Sequence, residues 1–267
     1  MNITIGKPCA VCEKGGRINN EDSIYPLPET VNSGQKLFLV CDGVGGADKG
    51  EIASSLACES FQSYFSTFQD GEPSEEFINK AIQYTESRFD DYFSFHPEAK
   101  GMATTITMFY TGTKGAILAH VGDSRIYQFR NGEIIYQTED HSLVNSLLKL
   151  GKITLEEVKT HSQRNVILRA IQGSDHPTEA DVVVLEDVQP GDYFFMCTDG
   201  VLERFTNESL SSVFLNHKTS EDIKDAIMET CYGRTRDNFS FYILPVNNVQ
   251  ESQGVKQNIL SFLYSFI

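Results

Sequence analysis

The chain has 267 residues, 40% hydrophobic and 11% aromatic, which excludes a disordered polypeptide and allows one large core or two small ones. Its 37 acidic and 22 basic residues leave a net charge of −15, which argues against nucleic acid as a partner and turns attention to cations. No apolar run approaches the roughly 20 residues of a membrane span, and the start MNITIGKPCAVC lacks the basic and apolar regions of a secretory leader, so a cytoplasmic protein is expected.

In chain order, Cys9 and Cys12 form a single C-x-x-C with no second pair, so zinc or redox use is not expected. Cys41, Cys58, Cys197 and Cys231 fall in apolar strand-like or helical runs and read as buried, reduced thiols. QKLFLVCDG, from Gln35 to Gly43, is an apolar run stopped by glycine and predicts a buried strand. From Gly50 the period changes. Ile52, Ala53, Leu56, Ala57, Phe61, Tyr64, Phe65 and Phe68 recur at helical spacing. Pro73 marks the start of a second helix carrying Phe77, Ile78, Ala81, Phe89 and Tyr92. Strands return in MATTITMFYTG and GAILAHVGDSRIYQFRNGEIIYQ, with turns at Gly112, Lys114-Gly115 and the hairpin signal Asn131-Gly132. SLVNSLLKLGKITLEEVKTHSQRNVILRAIQ predicts short helices, and ADVVVLEDVQPGDYFFMCTDG two strands about a Pro-Gly turn. Ser220 is the expected cap of a helix ending near Cys231, and NFSFYILPV is a last strand. Tight turns between most strands predict largely antiparallel sheets, and two groups of helices predict helical layers outside them. No linker or repeat divides the chain.

Asp42 ends the first strong strand at an Asp-Gly. The stretch lacks the lysine of a P-loop and the glycine spacing of a dinucleotide loop. An aspartate at such a turn would repel a phosphate unless a cation lay between them. The theme repeats at Asp199-Gly200, at Gly122-Asp123, at Asp237 before the last strand, and at Glu21 and Asp22 before another. One Asp-Gly alone is usually an ordinary turn. Five acidic strand ends are harder to explain so, and carboxylates that converge without lysines need cations. Oxygen-only ligands suit Mg²⁺ or Mn²⁺.

The order of GGRINNEDS, VCDGVGGADKGEIAS, GMATTI, AHVGDSRIY, TEDHSLV, RNVILRAIQG, MCTDGVLE and DNFSF resembles the metal-dependent protein serine/threonine phosphatases (the type 2C, or PPM, family), in their compact bacterial form. These motifs span Gly15 to about Val246. The resemblance implies an α+β fold, a four-layer α/β/β/α sandwich with two central, mainly antiparallel sheets flanked by helices. It implies a phosphatase domain over 1–247 with a flap at about 141–173, followed by a tail at 248–267.

It also implies two Mn²⁺ or Mg²⁺ ions, with a weaker third. Asp42 would bridge two ions with the Gly43 carbonyl as a further ligand, Asp199 and Asp237 would complete the first site, and Glu21 with Asp22 would serve the second. Asp123 with Asp199 would hold the third, and Arg17 would grip the substrate phosphate. Thr104 and Thr105 would support the site. A hydroxide shared by two metals would then hydrolyse phosphoserine or phosphothreonine on proteins, with no covalent intermediate and no role for Cys41 as nucleophile. The substrates would be phosphorylated proteins marked by a cognate Ser/Thr kinase.

Ala103 and Thr198 stand where many members have glycine and serine, and Val44 where many eukaryotic members have histidine. The leaving oxygen is therefore expected to take its proton from a metal-bound water. His141 is the nearest histidine by motif and reads as a structural hydrogen bond at the flap base. Alternatives are a phosphoprotein-binding relative with little activity, or a phosphatase of small phosphoesters. In the tail, Val255, Ile259, Leu263, Phe266 and Ile267 share a helical stripe, expected to pack on the domain or to make a contact with a partner. The expected state is otherwise a monomer.

Overall fold

The computed structural model describes residues 2–32, 34–44, 49–68 and 71–250. The expected amphipathic tail at 252–267 lies outside these residues. The first half comprises β1 (Asn2–Ile5), β2 (Cys9–Glu13), β3 (Asp22–Tyr25), β4 (Leu37–Val44), α1 (Gly50–Ser66), α2 (Glu75–Phe95), β5 (Ala103–Thr104), β6 (Ile106–Thr111) and β7 (Ala116–Val121). Then come β8 (Arg125–Arg130), β9 (Glu133–Gln137), α3 (Leu143–Lys149), α4 (Leu155–Thr160), β10 (Asp181–Leu185), β11 (Tyr193–Cys197), α5 (Asp199–Leu202), α6 (Asn207–Asn216), α7 (Ser220–Cys231) and β12 (Phe239–Gln250). No helix among the described residues is long and apolar enough to cross a membrane.

Two six-stranded sheets form the centre. One runs β1-β12-β11-β8-β9 with β2 beside β12, and the other β10-β7-β6-β4-β3 with β5 beside β4. The recorded pairings are antiparallel, as the short turns predicted. The central strands β4, β6, β7 and β11 and the first part of β12 are buried on both faces, which is why they read as unbroken apolar runs. In β4, Phe38 and Val40 pack into the core between the sheets, while Leu39 and Cys41 pack beneath α1 and α2. In β12, Tyr242 and Leu244 join the middle core, and Phe241 and Ile243 face α6 and α7. The four-layer sandwich follows from this period of two shared between two cores.

Local chemistry adjusts several expected boundaries. The second helix is capped by Ser74, whose hydroxyl accepts the Phe77 N–H, with Pro73 one residue outside. The cap of α7 is Thr219, not Ser220, for the same reason. The stretch MATTITMFYTG is interrupted at Thr105, whose backbone turns to bond Asp42. Asn131 (φ 51°) and Gly132 (φ 80°) make the predicted hairpin turn. Strand β12 continues to Gln250, across the expected 247 boundary, because β1 pairs with its end. Cys9 and Cys12 are three residues apart on β2 and join different cores, so they cannot chelate one ion. All six cysteines are free.

Candidate metal centre

Six carboxylates come from strand ends in both sheets. Glu21 and Asp22 lead into β3, Asp42 lies near the end of β4, Asp123 follows β7, Asp199 follows β11, and Asp237 precedes β12. Asp22 and Asp42 are direct register partners.

The backbone of Asp42 is held on both sides. Its N–H donates to Thr105 Oγ1 (3.0 Å), and its carbonyl accepts from Thr105 N–H (2.8 Å) and Thr104 Oγ1 (2.9 Å). These bonds engage only the backbone, and the side chain lies against that of Asp199. Gly43 donates to the Glu21 carbonyl (3.0 Å). A Cβ on Gly43 would stand 2.0 Å from the Gly50 carbonyl oxygen and 2.6 Å from that of Glu21, so the chain closes here only with glycine. Gly200 is as tight, a Cβ there meeting the Asn238 oxygen at 1.8 Å.

The carboxyls raise one another's pKa. For Asp22, loss of solvent is the main cause, with Asp199 and Asp237 adding, and the value reaches about 8. Asp123 is pushed to about 7 by loss of solvent and then by Asp199, and Asp199 to about 6 by loss of solvent and then by Asp237. Asp42 lies well above the ordinary carboxylate range, because of lost solvent and then Asp22, Asp199, Asp123 and Asp237. Glu21 is raised by lost solvent, against the pull of Arg17. Arg17 lies at the exposed rim with Nη2 donating to Asp237 Oδ2 at 2.7 Å.

Asp22 Oδ1 and Asp123 Oδ1 are buried with no hydrogen-bond partner of good geometry among the described residues, the Ser240 hydroxyl lying near Asp22 without a well-aligned bond to it. Buried polar atoms are rarely left so, and unpaired carboxylates are more costly still. Repelling carboxylates, two orphaned oxygens and an all-oxygen donor set fit hard divalent cations such as Mg²⁺ or Mn²⁺.

Every residue singled out from the sequence for this site lies in or beside this cluster: Arg17, Glu21, Asp22, Asp42, Gly43, Asp123, Asp199 and Asp237. Three further contributors carry no sequence role of their own. Thr198 Oγ1 donates to Asp22 Oδ2 (3.0 Å), leaving Oδ1 as the open oxygen. Asn238 accepts the Glu21 N–H (2.9 Å) and donates to the Lys14 and Asn19 carbonyls, which fixes the loop bearing Arg17. Glu51, at the start of α1, has a buried unpartnered Oε2 and adds to the field on Glu21. Its position directly after Gly50 in the glycine-turn stretch was the available signal. Val44 is exposed and offers no proton. His141 is half-buried, with Nδ1 on the Gly122 N–H (3.1 Å) and Nε2 3.2 Å from Asp181 Oδ2, so its ring is committed at the flap base.

Comparison with known proteins places this geometry in context. The profile of the family described as Protein phosphatase 2C matches residues 15–230. The serine/threonine protein phosphatase PstP of Mycobacterium tuberculosis is 30% identical over 249 residues, 92% of this chain and 45% of PstP. The chain thus spans about half the length of that curated relative. A putative protein phosphatase 2C-type of Streptococcus pyogenes is 35% identical over 214 residues, covering 79% of this chain and 85% of its own. The crystal structure of the PstP catalytic domain in complex with two manganese ions superposes with a TM-score of 0.78 at 27% identity, covering 92% of this chain and all of that one.

Proposed function

The chain belongs to the protein phosphatase 2C family, and from that premise we propose that it hydrolyses phosphoserine and phosphothreonine on proteins with Mn²⁺ or Mg²⁺. The observation that carries this reading is the mutual repulsion among six carboxylates, two of which have buried oxygens without a partner of good geometry, although their oxygens stand farther apart than those of His120, His141 and Asp181. Asp42 and the Gly43 carbonyl would serve two cations, Asp199 and Asp237 one of them, Glu21 and Asp22 the other, and Asp123 with Asp199 a weaker third. When bound, the cations supply a nucleophile drawn from water near neutral pH and positive charge for the phosphoryl oxygens.

The contribution of this chain is placement. Thr104 and Thr105 pin the Asp42 backbone with three hydrogen bonds, so its carboxylate has one direction to face. Arg17 is half-exposed on Asp237 and can turn its planar fork to two phosphate oxygens. The leaving serine or threonine oxygen needs a proton. Val44 has none and the His141 ring is engaged with Gly122 and Asp181, so the proton comes from water.

The segment at 141–173, with α3 and α4, acts as a flap within a phosphatase domain that runs through β12 to Gln250, and its exposed helices suit a protein surface. On this reading the chain is a cytoplasmic signalling enzyme of the bacterial type, monomeric apart from any contact made through the tail, and works against a cognate Ser/Thr kinase. The test is phosphate release from a phosphothreonine peptide. Release is expected with Mn²⁺, and none with chelator; chelator-resistant release would overturn the reading.

A further inference from the structure

Asp123 sits on a turn, residues 122–124, between β7 and β8. Gly122 has a φ of 106°, and a Cβ on it would stand 2.5 Å from Thr105 Cγ2. The turn is tied to the metal centre on one side, where Ser124 Oγ meets Thr105 Oγ1 at 2.8 Å and Thr105 Oγ1 in turn accepts the Asp42 N–H. On the other side, both polar backbone groups of Gly122 are taken by one residue. The His141 N–H donates to the Gly122 carbonyl (2.9 Å), and His141 Nδ1 accepts the Gly122 N–H (3.1 Å). The His141 carbonyl accepts from Leu168 N–H at 2.7 Å, on the segment that leaves the flap.

This arrangement assigns the tautomer. Both ring nitrogens face N–H donors, Nδ1 that of Gly122 and Nε2 that of Arg169, and a neutral ring can accept only one; the Gly122 N–H is fixed by the backbone whereas the guanidinium can turn, so the lone pair is placed on Nδ1 and the proton on Nε2, 3.2 Å from Asp181 Oδ2. Arg169 Nη1 donates to the other oxygen of Asp181 (2.7 Å), and with the proton on Nε2 its 3.0 Å approach to that nitrogen is a meeting of two N–H groups, relieved by turning the guanidinium toward Asp181. His120 stacks on the ring, centroids 4.5 Å apart, and its own Nε2 is on the Glu139 carbonyl (2.8 Å). His120, His141 and Asp181 have ligand atoms within 4.8 Å of one another, close enough for a metal. A metal does not suit them. Nε2 of His141 must keep its proton while Nδ1 serves Gly122, and a guanidinium already neutralises the carboxylate.

We propose that His141 is a positioning residue for the Asp123 cation site: its Nδ1 and backbone N–H clamp Gly122, so that the Asp123 carboxylate is held toward Asp199, and Asp181 at the flap exit, as the acceptor beside Nε2, favours the tautomer that can do this. The proposal rests on the reading of Asp123 as a ligand of the weaker cation. It links the flap to that cation through one imidazole.

Two substitutions separate the two ring nitrogens. His141→Asn keeps an acceptor oxygen where Nδ1 lies. His141→Gln keeps a donor near Nε2 and leaves the Gly122 N–H unserved. Manganese binding is read by calorimetry, with near-ultraviolet circular dichroism as the check on folding. In His141→Gln the weakest site is expected to lose about tenfold in affinity, equivalent to about 1.4 kcal/mol. His141→Asn should stay close to the parent, and the tighter sites should be unchanged in both. Equal behaviour of the two variants, or a parent without a separable weak site, overturns the proposal. If neither variant folds, the long-range ¹H–¹⁵N spectrum of the parent imidazole decides. A proton on Nε2 supports the clamp and one on Nδ1 overturns it. A parent that splits the two variants in manganese binding but releases no phosphate would refute the proposed activity and leave this inference standing.

Discussion

At Asp22, Asp42, Asp123 and Asp199, lost solvent and like charge raise the carboxyl pKa, and this sets a sign for stability. A group whose folded pKa is raised binds more protons folded than unfolded, so its contribution is present at low pH and is lost as pH rises through the folded value. For the metal-free protein the loss begins above the roughly 3.9 of a free aspartate and is complete by about 6 for Asp199 and about 8 for Asp22. His120 and His141 act oppositely: their pKa values are lowered, chiefly by lost solvent, and their contribution is lost as pH falls below the roughly 6.5 of an exposed imidazole. The carboxylate effect is therefore cleanest between about pH 7 and 8, where the imidazoles are already neutral. In chelator, the melting temperature should fall over that interval; in Mn²⁺ it should be nearly flat. Asp42→Asn tests the same physics at one residue. It should melt above the parent in chelator near neutral pH, because the folded parent must there either keep a repelling charge or take up a proton and the amide does neither, and below it in Mn²⁺, because a ligand is gone. An unchanged order in both buffers would mean that the carboxylates are not strained by one another.

The elements that carry the site were largely legible, and the reasons differ along the chain. Strands β4, β11 and β12 stand out because burial on both faces removes polar residues from them. Their acidic ends then stand out as breaks in apolar runs. By contrast α6, NESLSSVFLN, buries only Leu210 and Phe214 and offers little periodicity. Strands β1 and β2 are short and separated by Gly6 and Pro8, so their pairing depends on β12, far away in sequence. Thr198, Asn238 and Glu51 gain their roles from contacts across the fold, which spacing does not show. Two predictions belong to this scale. Gly43→Ala should cost about 1–3 kcal/mol or more, since its Cβ would press on backbone oxygens of Gly50 and Glu21. Thermal unfolding would measure it, and a parent-like melt would show that the junction of β4 and α1 can yield. In the 141–173 segment, proposed above as a flap, Lys152, Lys159 and Arg164 are exposed, whereas Arg169 is committed to Asp181. Exchanging the flap for that of a relative should change the preference among phosphoproteins, more so at low salt, without changing hydrolysis of a small aryl phosphate. Parallel changes on both substrates would count against a docking role.

At the scale of the molecule, the acidic cluster joins what the core keeps separate. Asp22 and Asp42 belong to one sheet, and Asp199 and Asp237 flank strands of the other. Between the sheets lies an apolar layer of Phe38, Val40, Phe109, Phe194, Met196, Tyr242 and Leu244, which resists separation but allows sliding. Cations shared by the four aspartates would cross-link one edge of that layer. Hydrogen exchange should therefore quicken on chelation at the ends near Asp42, Cys197 and Phe239. It should stay slow at the opposite ends, near Leu37, Tyr193 and Pro245, which lie farther along the same strands. Uniform acceleration along the strands would show that the cations do not clasp the sheets. The same fastening ties supply of the ion to the lifetime of the polypeptide. An apo sandwich sprung at one edge offers proteases the backbone around Gly43 and Gly200, so scarcity of manganese or magnesium would lower the number of surviving copies as well as the turnover of each.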